Sequence, residues 1–280
     1  MKYMRGRPSV WALTGIILVA QGFLSRPAFT QGEPQLRGPE LLQEIRHDIS
    51  PPLRDIKPPL RPAGPPEAKE IRLLHPPREV KRMPDSVMQT STLANISTTA
   101  GVNFEGVAAN GSAPPDTNGS AGATQFVEWV NTEFAVYDKT GSLLLGPVAG
   151  NTLWSGFGGP CETNNDGDII VLYDKLNNRW VMSQLSVTFG PPFYQCVAVS
   201  TTSDATGSFA RYAFAQPGFN DYPKLGVWPD AYYISYNLFN NTGTAFLGAR
   251  LCAMDGAAMR AGSAATQQCF QLGTNFGELL

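Results

Sequence analysis

The fold class follows from residues 168–196, which read DIIVLYDKLNNRWVMSQLSVTFGPPFYQC. The stretch divides into three consecutive short strands. Its first run is apolar and rich in β-branched residues, and the asparagine pair that follows is typical of a turn. The second run partly alternates between apolar and polar residues, and a Gly-Pro-Pro break separates it from a third run, YQCVAVS. This pattern predicts an all-β protein.

Aspartates recur at a regular spacing around this stretch. Asp116, Asp168 and Asp221 follow one another at intervals of 52 and 53 residues. A period of about 50 residues with four short strands in each unit is typical of a β-propeller blade. We therefore expect a partial β-propeller of about three four-stranded blades. The alternative is a β-sandwich whose strands are evenly spaced by chance.

Each repeat is expected to supply four strands, and the turns DKTGS (138–142) and DATGS (204–208) occupy the same place in the first two units. The predicted strands are 121–124, 125–131, 132–138 and 143–148, then 169–174, 179–187, 194–201 and 209–215, then 223–228, 231–239, 245–253 and 267–272. Propellers close with four or more blades. Three repeats therefore predict the first part of a longer protein, or a chain that oligomerises.

The first 92 residues differ from the rest in composition. Residues 1–30 combine basic residues with a short apolar run, which predicts a signal peptide and no membrane span in the mature form; a retained N-terminal anchor is the alternative. Residues 31–92 are rich in proline, and we expect a disordered spacer before a propeller-like domain at 93–280. A pro-segment removed on maturation is the alternative. His47 and His75 lie here, and we expect both to be solvated.

The charge is distributed unevenly along the chain. Residues 1–99 hold 14 of the 21 Lys and Arg but only 9 of the 23 Asp and Glu, so they carry +5 and the remainder carries −7. An acidic folded part argues against nucleic acid as a partner, because phosphates need a basic face. Residues 100–280 also contain no histidine, which excludes a Ser-His-Asp triad or a His-ligated zinc built from that part alone.

The four cysteines are Cys161, Cys196, Cys252 and Cys269, and none forms a CxxC pair. An even number in an exported chain predicts two disulfides. We favour Cys161–Cys196 and Cys252–Cys269 among the three pairings. Free buried thiols are the alternative.

A family resemblance is carried by four stretches of the folded part, listed here in chain order: PPDTNG (114–119) with QFVEWVNTEFAVYDKTG (125–141), VLYDKLNNRWVMSQ (171–184), YQCVAVSTT (194–202) with DATGS (204–208), and NDYPKLGVWPDAYYISYN (220–237). In these residues the chain resembles a group of secreted bacterial proteins that are predicted to carry a β-propeller. The turn TSDATGSF (202–209) also resembles the Asp box of sialidase-like propellers, although one extra residue precedes Gly207 and Phe209 replaces the tryptophan. The resemblance implies a propeller fold and an extracellular location, and it assigns no catalytic residues.

Acidic and amide side chains near the repeat starts are candidates for a metal site. Carboxylate and amide oxygens grouped at one end of a propeller channel would suit Ca²⁺. The candidate ligands are Asp116, Asn118, Asp166, Asp168 and Asp221. The alternative is that these residues form Asx-turns that begin strands.

Glycoside hydrolysis is a second chemical interpretation, because two carboxylates about 5–10 Å apart suffice for it. Further acids available for such a pair are Glu128, Glu133, Glu162 and Asp230. A sialidase-like site would also need clustered arginines. The folded part offers only Arg179, Arg211, Arg250 and Arg260.

Aromatic residues on loops could contact a carbohydrate or peptide, whereas those in strands are expected to form core. The set is Trp129, Trp154, Trp180, Phe193, Tyr194, Tyr222, Trp228, Tyr232, Tyr233 and Tyr236. Among them we expect Trp154 and Tyr222 to be the better exposed.

Together these features predict an exported propeller module, secreted or at the cell surface, that binds a carbohydrate or protein ligand. An extracellular glycoside hydrolase-like enzyme with acidic residues at the channel mouth is the alternative, and a purely structural module is a third. Ca²⁺ is the one cofactor that the residues suggest.

Overall fold

The described part of the chain consists mostly of β-strands. The computed structural model describes residues 36–58, 101–112, 114–188 and 190–277, so the predicted signal peptide and His75 lie outside the described residues. The strands are β1 (Arg37–Gln43), β2 (Arg46–Ile49), β3 (Asn118–Ala121), β4 (Gln125–Val130), β5 (Glu133–Asp138), β6 (Leu143–Ala149), β7 (Ile170–Asp174), β8 (Arg179–Ser186), β9 (Phe193–Ser200), β10 (Phe209–Gln216), β11 (Phe219–Val227), β12 (Tyr232–Phe239), β13 (Phe246–Met254) and β14 (Thr266–Gln271).

Short helical segments interrupt the strands. The α-helices are α1 (Pro160–Thr163) and α2 (Gly256–Ala261), and single 3₁₀ turns lie at Leu53–Asp55, Gly150–Trp154 and Thr274–Phe276. Among the described residues no helix is long and apolar enough to cross a membrane.

The strands form three antiparallel sheets, which confirms the all-β prediction. The first sheet has the order β3-β4-β5-β6, the second β7-β8-β9-β10-β2, and the third β11-β12-β13-β14-β1. Each sheet is therefore a run of four consecutive strands, and the second and third sheets gain a fifth. Strand β7 lies beside both β3 and β11, so the first strands of the three sheets are neighbours.

The predicted strands agree closely with the observed ones. Strand β11 begins at Phe219, four residues before its expected start at 223, and the first strand of the first sheet is displaced from the expected 121–124 to Asn118–Ala121. The reason is local: the Gly122 N–H donates to the Gln125 carbonyl at 2.9 Å, so residues 122–125 form the turn that leads into β4.

The prediction of a disordered spacer is wrong for residues 36–58, which we call the N-terminal strap. Strand β1 pairs with β14, and β2 pairs with β10. Leu53 then inserts its side chain into the core. The prolines do not prevent this, because Pro39 falls in an irregularity of the β1 register and the pair at 51–52 follows the end of β2. An edge strand tolerates such interruptions because one of its sides is unpaired.

Two apolar clusters hold the sheets together. One joins the first and second sheets around Trp129, Trp154 and Trp180, and the other joins the second and third sheets around Tyr212 and Tyr232. Strand β8 is buried on both faces, because it lies between these two clusters. Trp154 was expected to be exposed; it is 0% exposed, since its 3₁₀ turn packs beneath the first sheet.

Both predicted disulfides are confirmed. Cys161 of α1 bonds to Cys196 of β9, with their Cα atoms 5.9 Å apart. Cys252 and Cys269 are directly opposed on β13 and β14, with their Cα atoms 4.1 Å apart. Two disulfides indicate an oxidising compartment.

Candidate ligand-binding cleft

A cleft of about 620 Å³ opens where loops of the three sheets meet. Its polar side carries Asp116 from the segment before β3, and Asp166 and Asp168 from the segment before β7. Its apolar side carries Leu185 and Val187 at the end of β8, together with Phe193 and Phe219 at the starts of β9 and β11. The turn between β12 and β13, residues 241–243, contributes from the third sheet.

The aspartates at the sheet starts share an unusual backbone conformation. Asp116 and Asp168 have φ angles of 43° and 46°, and each stands two residues before its strand begins. Left-handed backbone is uncommon outside glycine, although aspartate tolerates it. The corresponding residue of the third sheet is Tyr222, with φ 52°, and not the predicted landmark Asp221. The register of β11 shifts between Asp221 and Lys224, which moves the equivalent position by one residue.

Asp168 is the most perturbed carboxyl group of the cleft. The pKa of its carboxyl group is raised from the ordinary 3.8 to about 6, mainly by burial and then by the negative charges of Asp221 and Asp116. Two groups oppose these effects: the Tyr222 N–H donates to Asp168 Oδ2 at 3.3 Å, and the positive charge of Lys224 lies nearby. Aspartates from all three sheets are thus close enough to influence one another.

Asp116 lies in a similar but milder environment. Burial raises the pKa of its carboxyl group, and Lys224 partly offsets that effect. Its Oδ2 atom accepts a hydrogen bond of 3.1 Å from the Asn131 side chain. Lys224 therefore acts on Asp116 and Asp168 together, while its ammonium group lies 3.2 Å from the centroid of the Tyr222 ring.

Two other predicted ligands have structural partners. Asp166 accepts hydrogen bonds from the backbone N–H groups of Val187 and Thr188 at 2.7 and 2.8 Å and from the Thr188 hydroxyl, which fixes the end of β8. Asn118 does not line the cleft; its Oδ1 accepts from the Val171 N–H at 2.8 Å and so joins β3 to β7. These contacts join residues that lie 21 and 53 positions apart in the sequence, so they are not the local Asx-turns of the alternative prediction.

Two asparagines complete the polar wall of the cleft. Asn131, in the turn between β4 and β5, has φ 42° and donates to the Pro114 carbonyl at 2.8 Å. Gly167 is required beside it, because a Cβ atom there would overlap the Asn131 side chain and its φ is 89°. Asn165 donates to the Thr132 carbonyl at 2.9 Å. The sequence signal for Asn131 was its place between two predicted strands, where asparagine favours turns.

The further acids proposed for glycoside chemistry lie outside the cleft. Glu128 accepts from the Val107 N–H, Glu162 from the N–H groups of Gly156 and Gly158, and Asp230 from the Tyr233 hydroxyl. Glu133 lies on β5 and is likewise not among the residues that line the cleft.

The four arginines of the folded part also have interaction partners outside the cleft. Arg211 and Arg250 are buried and pair with Asp48 and Glu40 of the N-terminal strap at 2.6 and 2.7 Å. Arg179 donates to backbone carbonyls of its own turn, and Arg260 stacks over Tyr232. No Lys or Arg is among the described residues that line the cleft, whereas a sialidase-like site would need clustered arginines.

Most of the aromatic set forms core, as predicted for residues in strands. Tyr222 is 44% exposed, which confirms the expectation for that residue, and Trp228 is 65% exposed. Phe193 presents an edge to the cleft although it is almost fully buried.

The calcium site stays a prediction. Within the described ranges, no group of three or more His, Cys, Asp or Glu side chains is arranged to hold a metal ion. Of the five predicted ligands, Asp116, Asp166 and Asp168 line one cleft, whereas Asn118 and Asp221 do not.

Comparison with known proteins adds no information about the function of the cleft. No family model, curated protein or solved structure matches the chain. The resemblance to secreted bacterial propeller proteins therefore remains a prediction.

Proposed function

We propose that the chain is an exported binding module made of consecutive β-propeller blades, and that its cleft binds a ligand with a positively charged group. Three features support the blade interpretation. Each sheet contains four consecutive antiparallel strands, and the first strands β3, β7 and β11 are neighbours. A residue with a left-handed backbone conformation lies just before β3 (Asp116), just before β7 (Asp168) and within β11 (Tyr222). The disulfides agree with export.

The raised pKa of Asp168 is the observation from which we infer that the ligand is positively charged. Its carboxyl group is buried beside other carboxyl groups, and one lysine offsets their effect only in part. A cation that enters the cleft would stabilise the ionised form of Asp168, since each pKa unit corresponds to about 1.4 kcal/mol. The apolar wall would at the same time cover the carbon atoms of a lysine or arginine side chain. The ligand of choice is therefore a basic side chain of a protein partner.

Binding of model cations tests this proposal. We would follow the cleft by NMR chemical shifts during titration with Nα-acetyl-lysine methylamide, Nα-acetyl-arginine methylamide and CaCl₂. At least one organic cation should bind at pH 7.5, and binding should weaken as the pH falls below about 6 because Asp168 takes up a proton. Asp168→Asn should reduce the affinity about 10-fold or more, as expected for loss of a charge-assisted contact.

Asp230→Asn is the matched control, because Asp230 lies outside the cleft and should leave the affinity unchanged. Equal affinity of the Asp168→Asn variant and the natural protein would refute the proposal. A response to Ca²⁺ but to neither organic cation would instead favour the calcium site.

Acid-catalysed glycoside hydrolysis is the second candidate. A carboxyl group with a pKa of about 6 beside a second carboxylate is the arrangement that a glycosidase acid requires. Asp168 would then donate a proton to the leaving oxygen, with Asp116 as the second carboxylate. This candidate predicts release of 4-nitrophenol from an aryl glycoside with an optimum near pH 6, and loss of release in Asp168→Asn. If no 4-nitrophenol is released from a panel of α- and β-glycosides, this candidate function is excluded.

A further inference from the structure

Three buried amide side chains, which we call the amide trio, lie between the second and third sheets. They belong to Gln195 of β9, Gln216 of β10 and Asn220 of β11, which are 0%, 6% and 0% exposed. Side chains two residues apart on a strand point to the same face. Gln195 therefore shares its face with Val197, and Gln216 shares its face with Phe214, in the apolar cluster between these sheets. The Asn220 side chain joins them from the third sheet by donating to Gln195 Oε1 at 3.0 Å.

The amide trio has hydrogen-bonding capacity that the protein does not use. Gln195 Nε2, Asn220 Oδ1 and both polar atoms of the Gln216 side chain are buried and have no hydrogen-bond partner among the described residues. A buried polar atom without a partner destabilises the fold, and most buried polar atoms in proteins bond either to protein or to ordered water. Four such atoms on three neighbouring side chains therefore indicate a binding site for a small polar molecule.

The hydrogen bond between Gln195 and Asn220 determines which chemical group can bind beside it. The bond uses the nitrogen of one amide and the oxygen of the other, so one donor and one acceptor remain. The same is true if both amides are turned over. A cation would be repelled by the remaining donor, and an anion by the remaining acceptor. Only a molecule that both donates and accepts hydrogen bonds satisfies the two atoms together.

The apolar wall of the cleft limits the size of that molecule. Phe193 and Phe219 line the cleft, and their ring centroids are 5.9 Å apart. Gln216 lies opposite Phe193 in the pairing of β9 with β10, and Asn220 directly follows Phe219 in the chain. Because the amide groups are buried beside these rings, we expect only a molecule as small as water to reach them.

We propose that the amide trio binds ordered water between the second and third sheets, and that one water molecule bridges Gln195 Nε2 and Asn220 Oδ1. Gln216 lies diagonally across from Gln195 on the paired strands, a separation that long side chains span. It supplies the third hydrogen bond that a buried water molecule typically makes. The bound water thereby joins β9, β10 and β11 beside the cleft, and this site does not depend on the ligand proposed for the cleft.

NMR cross-relaxation with water tests the proposal on the full chain. We expect the side-chain amide protons of Gln195 to show water NOE and ROE cross-peaks of opposite sign, which distinguish a long-lived bound water molecule from chemical exchange. The side-chain amide of Asn164 is the matched control. It is 5% exposed, donates to Ser186 Oγ at 2.9 Å and accepts from the Thr163 hydroxyl at 3.2 Å, so it should show no such contact. Absence of a long-lived water contact at Gln195 would overturn the proposal.

A high-resolution crystal structure gives a second readout, for which no variant is needed. We expect a water molecule within about 2.7–3.2 Å of both Gln195 Nε2 and Asn220 Oδ1. The double variant Gln195→Met with Asn220→Leu replaces both amides by apolar side chains of similar size, so this water molecule should be lost there. If the two atoms of the natural protein instead bond to protein groups, with no water molecule between them, the proposed bridge is wrong.

Discussion

Asp168 links the stability of the folded chain to its proposed function. Its pKa is about 6 in the folded protein and near 3.8 when exposed. Between these values the folded state binds more protons than the unfolded state, so the free energy of unfolding falls as the pH rises through this window. Above about pH 6 the full cost of an ionised, buried carboxylate is present. Such a cost is typical of residues kept for function.

Asp168→Asn should therefore raise the free energy of unfolding at pH 7.5, by about 1–2 kcal/mol. The amide keeps an oxygen that accepts from the Tyr222 N–H and removes the charge. The gain should disappear near pH 2.5, more than one unit below the ordinary pKa of 3.8, where Asp168 is protonated in both states. Urea unfolding at the two pH values measures the effect, with Asp230→Asn as a control that changes little at either. A variant less stable than the natural protein at pH 7.5 would show that Asp168 is a structural residue.

At the scale of elements, the N-terminal strap is held by buried charge as well as by backbone pairing. Arg211 is 1% exposed, and its guanidinium group donates to both Asp48 oxygens at 2.8 and 2.6 Å and to the carbonyls of Leu153 and Ser155 at 3.1 and 2.9 Å. Removal of the acid leaves a buried cation without its counter-charge, which is a costly arrangement.

We expect Asp48→Ala to lower the free energy of unfolding by about 3 kcal/mol, toward the lower end of the range for such pairs because Asp48 is partly exposed. Asp55→Ala, at an exposed acid of the same strap, should change it by less than about 0.5 kcal/mol. Thermal and urea unfolding of both variants measures the difference. Equal stability of the two variants would mean that the strap contributes little to the fold.

The strands of the three sheets were largely predictable from the sequence, because their apolar runs and the turns between them are local signals. The strap was not, since proline-rich composition favours extended solvated chain and its pairing partners lie far away in sequence. Asp48, for example, contacts Arg211 across 163 residues. Tyr222 was missed as the third sheet-start residue, because a one-residue irregularity in β11 leaves no trace in the spacing of aspartates.

At the scale of the whole molecule, the candidate site exists because three sheets direct their loops to one end. The spacing of the aspartates predicted that Asp116 and Asp168 would lie near each other, and both line the cleft. It could not predict that Asn118 would turn toward β7 or that residues 241–243 would close one side, since both depend on how neighbouring sheets pack. Amino-acid composition likewise could not show that Arg211 and Arg250 form ion pairs with Asp48 and Glu40 of the N-terminal strap.

The most direct test is an NMR titration of the Asp168 side-chain carboxyl carbon, because it reports whether aspartates of three sheets meet. We expect an apparent pKa near 6 that falls when Asp221→Asn or Asp116→Asn removes a neighbouring charge, while Asp230→Asn leaves it unchanged. A pKa near 3.8 that none of these substitutions alters would contradict the convergence of the sheets on one acidic cleft.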